Sequence, residues 1–291
     1  MGPDPIKGDM SYDALVRRAC ETLTHTSTTA MLDARVLMKH VANVDDAGLI
    51  SMGSDIVPSA VERSYQELVA RREKHEPVAY ITGVQEFWGL TFKVTPDVLI
   101  PRADSECLID AVLKKRTIRD VPLNILDLGV GSGCLLLALL TEYENAKGLG
   151  VDQSVMALNI AQTNADKIGV LDRSVFRVSN WFEAITGRFD IIIANPPYVD
   201  DDDSSLPIDV SNYEPSAALY GGADGLDAYR TILASLPGHL YDNALVIFEC
   251  GSTQANQIST MVSKVLPGAR ITIIIDLEGR DRGVLCDLVA P

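Results

Sequence analysis

NILDLGVGSG, residues 124–133, runs from a short apolar segment straight into glycines at every second position. An apolar run closed by glycine reads as a buried strand and its exit turn. The alternating glycines let the backbone turn sharply and approach a ligand closely, which a β-carbon would prevent. A helix is expected from Ser132 onward. A strand, a glycine turn and a helix form the first half of a β-α-β unit, and the same alternation continues along the chain. GLGVD (148–152), a helix opened by Ser154, SVFRV (174–178) and FDIIIAN (189–195) come next. A helix in GLDAYRTILASL (225–236), ALVIFE (244–249), a helix in ANQISTMVSKVL (255–266), RITIIID (270–276) and GVLCDLVA (283–290) complete the series. Strand and helix in alternation predict an α/β fold, a doubly wound parallel sheet of seven strands. The last two strands have no helix between them and should form an antiparallel hairpin at the sheet edge.

Upstream the pattern is helical. In SYDALVRRACETL (11–23), Leu15, Val16, Ala19 and Leu23 fall at helical spacing behind a Ser11 N-cap. In MLDARVLMKHVA (31–42) the stripe is Leu32, Val36, Leu37, His40 and Val41, and a third helix starts near Pro58. No strand is expected between Ser11 and Tyr80. QEFWGLTFKVTPDVLIPR (85–102) then turns β-branched and aromatic, with two short strands around Gly89. The resulting division is a small helical domain at 1–84, a hairpin linker at 85–100 and the sheet domain at 101–291.

Whole-chain numbers narrow the function. The formal charge of −15 disfavours non-specific binding to phosphate backbones, so no direct nucleic-acid substrate is expected. Five scattered cysteines include no C-x-x-C pair, which argues for a reducing compartment and against a structural zinc. No apolar run reaches the roughly 18 residues of a membrane span, and MGPDPIKGDM at the start lacks the apolar core of a signal peptide. The expected location is cytoplasmic.

Ligands of open α/β sheets bind at the carboxyl ends of the strands where strand order reverses. A dinucleotide fingerprint would read G-x-G-x-x-G, whereas here the third glycine is Gly133 and position 134 is Cys. The pattern Asp127-x-Gly129-Val130-Gly131-Ser132-Gly133 instead fits a site for S-adenosylmethionine (SAM), which has no pyrophosphate to cradle. Asp152 stands at the tip of the second strand, placed to accept both ribose hydroxyls, or to act as a helix N-terminal charge. FDIIIANPPYVD (189–200) ends a buried strand with Asn195-Pro196-Pro197-Tyr198. The Asn195 carboxamide and the Pro196 carbonyl can accept both N–H bonds of an incoming planar NH2 group. That favours a pyramidal nitrogen whose lone pair points at a sulfonium methyl. The prolines fix the geometry, and Tyr198 supplies a flat wall.

Asn-Pro-Pro-Tyr marks methyltransferases of planar nitrogens, adenine N6 in DNA and glutamine in proteins. With DARVL (33–37), REKHEPVAYITGVQEFWG (72–89), PDVLIPR (96–102) and EPSAALYGGADGLDAYR (214–230), the chain resembles the release factor glutamine methyltransferase family over nearly its whole length. The resemblance implies a SAM-dependent methyltransferase fold that converts SAM to S-adenosylhomocysteine, with peptide chain release factors as partners. It also implies that Gly129 to Gly133, Asp152, Trp181 and Asn195 bind SAM. Asn195, Pro196, Pro197 and Tyr198 would hold the substrate glutamine, with Asn195, Pro196 and Tyr198 acting in catalysis, while Phe87 and Arg102 help to close the site. Trp181 is an adenine contact or a core aromatic. Ala103 and Ser105 stand where the family pattern often has Pro and Thr. The competing substrates are a ribosomal protein glutamine and DNA adenine. No metal is required for methyl transfer to a neutral amide.

Overall fold

Ser11 closes the strand β1 (Lys7–Ser11) and caps the helix α1 (Tyr12–Leu23), its side chain accepting from the Ala14 N–H at 3.3 Å. The computed structural model describes residues 7–288. The opening residues searched above for a signal, and Val289–Ala290 of the final expected strand, lie outside that range apart from 7–10. After α1 come α2 (Ala30–Ala42), α3 (Asp46–Ser51), β2 (Ile56–Pro58), α4 (Ser59–Glu73) and α5 (Val78–Thr82). Leu15, Val16, Ala19 and Leu23 of α1 are buried, as their spacing requires.

Two features of this helical unit differ from the expectation. β2 pairs antiparallel with β1 in a stretch where no strand is legible. It is three residues long, with one buried residue, Val57, between two exposed ones, too short for alternation to register. The buried face of α2 is Ala30, Asp33, Ala34, Leu37 and Met38, whereas Leu32 is exposed. The stripe is displaced because a charge goes inside. The Asp33 carboxylate accepts from Arg72 Nε at 2.7 Å, from Ser27 Oγ at 2.7 Å and from Thr29 Oγ1 at 3.0 Å. By contact the unit comprises the chain up to Gly83 together with Pro207–Tyr213, a segment that the contiguous division at 101–291 assigned to the sheet domain. Within the unit the Tyr213 hydroxyl donates to the Lys74 carbonyl at 2.7 Å.

The second unit, Val84–Leu206 with the chain from Glu214, starts with a hairpin of β3 (Val84–Phe87) and β4 (Leu90–Lys93). Trp88 and Gly89, with φ of 54° and 68°, form its two-residue turn. A helix that the sequence reading did not assign, α6 (Glu106–Lys115), follows. The alternation then runs β5 (Asn124–Leu128), α7 (Cys134–Glu142), β6 (Lys147–Asp152), α8 (Val155–Ile168), β7 (Ser174–Val178) and β8 (Phe189–Ala194). It continues with α9 (Ile208–Tyr213, counted with the helical unit), α10 (Asp227–Ser235), β9 (Leu240–Glu249), α11 (Ala255–Val265), β10 (Arg270–Ile275) and β11 (Asp281–Asp287). α7 begins at Cys134 and not at Ser132, because Gly133 adopts a left-handed φ of 86° that no helix residue can hold.

The seven strands lie in the order β10-β11-β9-β8-β5-β6-β7. β5 to β9 are mutually parallel where they pair, and β11 runs antiparallel to both β9 and β10. The terminal hairpin is therefore at the edge, as expected. β5 has β6 on one side and β8 on the other, so strand order reverses between β5 and β8. Leu128 is in register with Ala194, and Ala194 with Phe248, so the residues just beyond these three strands share one crevice. Among the described residues no helix is long and apolar enough to cross a membrane.

Candidate active site

A cavity of about 250 Å³ opens at this reversal point, lined by Gly129 to Ser132, Asp152, Trp181, Asn195 and Pro197, with Arg102 at the edge. Gly129, Gly131 and Gly133 all have left-handed φ, of 77°, 52° and 86°. A Cβ on Gly129 would sit at an ordinary 3.5 Å contact from the Trp181 ring, so it is the left-handed φ and not space that calls for glycine there. Gly133 has a different job. It does not line the cavity, and its α-carbon faces Leu137 and Ala161, so it serves close packing at the start of α7.

Asp152 Oδ2 accepts from the Gly131 N–H at 3.0 Å and Oδ1 from the Ser154 N–H at 2.9 Å. The carboxylate thus ties the glycine turn to the start of α8, and each oxygen keeps a lone pair. Trp181 is held at a left-handed φ of 49°, an uncommon conformation for a large side chain. The Ser179 hydroxyl secures it by donating to the Trp181 carbonyl at 2.8 Å.

Asp127, the acidic start of the glycine pattern though not among the contacts the resemblance implies, also lines the cavity. It is 1% exposed; Oδ2 accepts from the Leu136 N–H at 3.2 Å, and Oδ1 has no hydrogen-bond partner among the described residues. Burial first, and the nearby Asp152 charge second, push its carboxyl up to about 7 against the pull of the Leu136 N–H. Burial likewise pushes the Cys134 thiol, also in the cavity wall, up to about 12, which leaves it no thiolate for nucleophilic chemistry at neutral pH.

The Asn195 carboxamide is half-buried in the cavity wall and finds no hydrogen-bond partner among the described residues. Pro196 is buried, and neither it nor Tyr198 lines the cavity. Tyr198 packs on the other side of the turn, where burial pushes its phenol up and Arg282 hydrogen-bonds it. Glu249, one residue past Phe248, is 1% exposed, and its Oε2 has no hydrogen-bond partner among the described residues. Burial pushes its carboxyl up to about 7, opposed by a hydrogen bond with Ser105 and by the Arg282 and Arg102 charges. Arg102 pairs with the buried Glu214, which also accepts from the Ile100 N–H at 3.2 Å, so PDVLIPR and EPSAAL are joined at the cavity rim.

Phe87 is a correction. It is fully buried, meets Phe92 edge-to-face at 6.2 Å, belongs to the core beneath α6 and α7, and does not line the cavity. The tight Trp88-Gly89 turn sends it inward.

Two family models match the chain, one described as the PrmC N-terminal domain at residues 14–83 and one as the methyltransferase small domain at residues 104–210. A release factor glutamine methyltransferase of Cereibacter sphaeroides is 38% identical over 90% of this chain and 92% of its own length. Its namesake in Bradyrhizobium diazoefficiens is 35% identical over 99% of this chain and 98% of its own. The chain belongs to the release factor glutamine methyltransferase family. For the fold alone, a Thermus thermophilus 16S rRNA N2 G1207 methyltransferase solved with AdoMet and guanosine superimposes with a TM-score of 0.53, at 17% identity over 71% of this chain and 50% of that one. In this family member the glycine turn and Asn195 share one cavity wall. Among the described residues no group of His, Cys, Asp and Glu is placed to hold a metal ion.

Proposed function

We propose that this protein transfers a methyl group from SAM to the side-chain amide nitrogen of the glutamine in the Gly-Gly-Gln motif of peptide chain release factors. One observation carries the reading: an unengaged Asn195 carboxamide in the wall of the cavity that also contains the glycine turn.

The residues present suit SAM. The left-handed glycines leave a backbone cradle free of β-carbons, the orphaned Asp127 Oδ1 awaits a donor, and Asp152 has lone pairs for hydroxyl donors. Gly129 to Ser132, Asp127, Asp152 and Trp181 would hold it, Trp181 as the flat partner of the adenine. When bound, SAM supplies an electrophilic sulfonium methyl. Asn195 Oδ1 and the Pro196 carbonyl accept the two amide N–H bonds of the substrate, localise the nitrogen lone pair and aim it, and the displaced proton leaves along one of these bonds. Pro196 and Pro197 keep the acceptors from drifting. Tyr198 anchors the turn from the side away from the cavity, and Arg102 with Glu214 holds the rim.

The helical unit carries the docking surface for the factor in this reading, through the exposed Met31, Leu32, Ile50 and Ile56. The enzyme works in the cytoplasm with its termination substrates, where five free cysteines are stable. The deciding experiment incubates the protein and SAM with a purified release factor, a Gly-Gly-Gln peptide, ribosomal proteins and duplex DNA in parallel, with intact-mass analysis. One added methyl on the glutamine of the factor, formed with higher kcat/KM than on the peptide, is expected. Methylation of the ribosomal protein or DNA with the factor untouched would overturn the reading, and equal efficiency on peptide and factor would remove the docking role.

A further inference from the structure

Gln254 occupies the N-cap position of α11, yet its side chain makes no cap hydrogen bond. The carboxamide is turned the other way. Its Oε1 accepts from the Gly251 N–H at 3.0 Å, and its Nε2 donates to the Tyr198 carbonyl at 2.9 Å and approaches the Asp224 carbonyl at 3.4 Å. One side chain thus joins three separate backbone segments: the exit of β9, the Asn-Pro-Pro-Tyr turn and the loop Gly221–Gly225.

That loop leaves the turn no slack. Val199 donates to the Leu219 carbonyl at 2.9 Å, and Gly221 donates back to the Val199 carbonyl at 2.8 Å. A β-carbon on Gly221 would overlap the Pro197 carbonyl, and one on Gly225 would overlap the Tyr198 carbonyl. The two prolines have no N–H with which to tie themselves to a neighbour. The turn is therefore located by its carbonyls and by Val199, and the bond to Tyr198 comes from a side chain outside the cavity lining.

We infer that Gln254 is a positioning residue for methyl transfer, bracing the Asn195–Tyr198 turn through the Tyr198 carbonyl so that the Asn195 carboxamide meets the substrate amide at a fixed angle. The inference rests on the proposed function for its chemistry, while the brace itself is a property of the protein alone. Replacement by the similarly sized Gln254→Met removes both hydrogen bonds. Replacement by Gln254→Glu keeps the acceptor for Gly251 and sets a carboxylate oxygen against two carbonyl oxygens, a repulsion that protonation converts into a hydrogen bond.

Three measurements on the full-length protein test this. Hydrogen exchange of the amides of Val199 and Gly221 should quicken in Gln254→Met at a temperature where the global melt is still distant. In the methylation assay, Gln254→Met should lower kcat on the order of a hundredfold while KM for the Gly-Gly-Gln peptide and the Kd for S-adenosylhomocysteine move less than about threefold. The activity of Gln254→Glu relative to wild type should climb as pH falls, whereas a side chain that merely fills space would give parallel profiles. Exchange at wild-type rates, or wild-type kcat in Gln254→Met, overturns the inference. Exchange needs no substrate, so a wild-type protein that methylates no glutamine would sink the proposed function and leave the brace standing.

Discussion

In the helical unit the buried Asp33 carboxylate meets Arg72 and two hydroxyls, so both of its oxygens are satisfied. In the sheet unit Asp127 and Glu249 are as deeply buried, each with one oxygen that has no hydrogen-bond partner among the described residues. Both arrangements remove a carboxyl from water, but only in the first does each carboxylate oxygen meet a donor, one of them an arginine. A completed set of partners holds a fold together. An incomplete one is available to a ligand or a proton, and both incomplete ones sit at the carboxyl ends of strands flanking the crevice.

The largest effect should come from breaking the completed set. Asp33→Ala takes the carboxylate from the buried Arg72, whose other contacts include the Glu76 carbonyl at 3.3 Å and Asp209 at 3.7 Å. Urea unfolding should show a loss of about 3 kcal/mol, the low end for a severed buried pair. An unchanged midpoint would erase the contrast between the units. Asn195→Ala should leave that midpoint in place and lower single-turnover methyl transfer by about a hundredfold or more, the range for loss of a donor or acceptor that acts on the reacting group. A rate within about threefold of wild type would refute the orientation role.

Asp152→Ala should weaken S-adenosylhomocysteine binding by roughly 1.5 to 3 kcal/mol, read by calorimetry. Because Asp152 already bonds Gly131 and Ser154, unchanged affinity would assign it wholly to tying those two segments. The smallest effect concerns Glu249. Its folded pKa of about 7 lies above the ordinary 4.5, so the folded protein keeps a proton that the unfolded chain releases. The stabilisation is complete below about pH 4.5 and fades as pH rises to about 7. Glu249→Gln should flatten the melting temperature across that window and raise it at pH 8, by about 2–4 °C for each kcal/mol relieved. A parallel shift at every pH would mean that Glu249 does not titrate there.

The motifs legible in the sequence were those that constrain the backbone directly. Alternating glycines require left-handed turns, paired prolines end a ladder, and Gly129, Gly131 and Asn195 lie where those rules put them. Gln254 and Glu249 were illegible because their roles depend on register. Only the pairing of Ala194 with Phe248 brings residue 249 beside residue 195 across half a hundred positions of chain. Phe87 was misplaced because a resemblance carries no side-chain direction: only the Trp88-Gly89 turn shows that its ring enters the core. Asp33 and Arg72 lie in DARVL and REKHEPVAY, two of the motifs that carried the resemblance, and the pair between them gives those motifs a structural reason.

The segment Pro207–Tyr213 bears on how the chain is made. The helical unit reaches Gly83 early in synthesis, but the partners of Arg72 and Lys74 at Asp209 and Tyr213 come about 120 residues later, roughly 6–25 s at a translation rate of about 5–20 residues/s. During that interval a nascent helical bundle waits, unfinished, for the last of its own pieces to leave the ribosome.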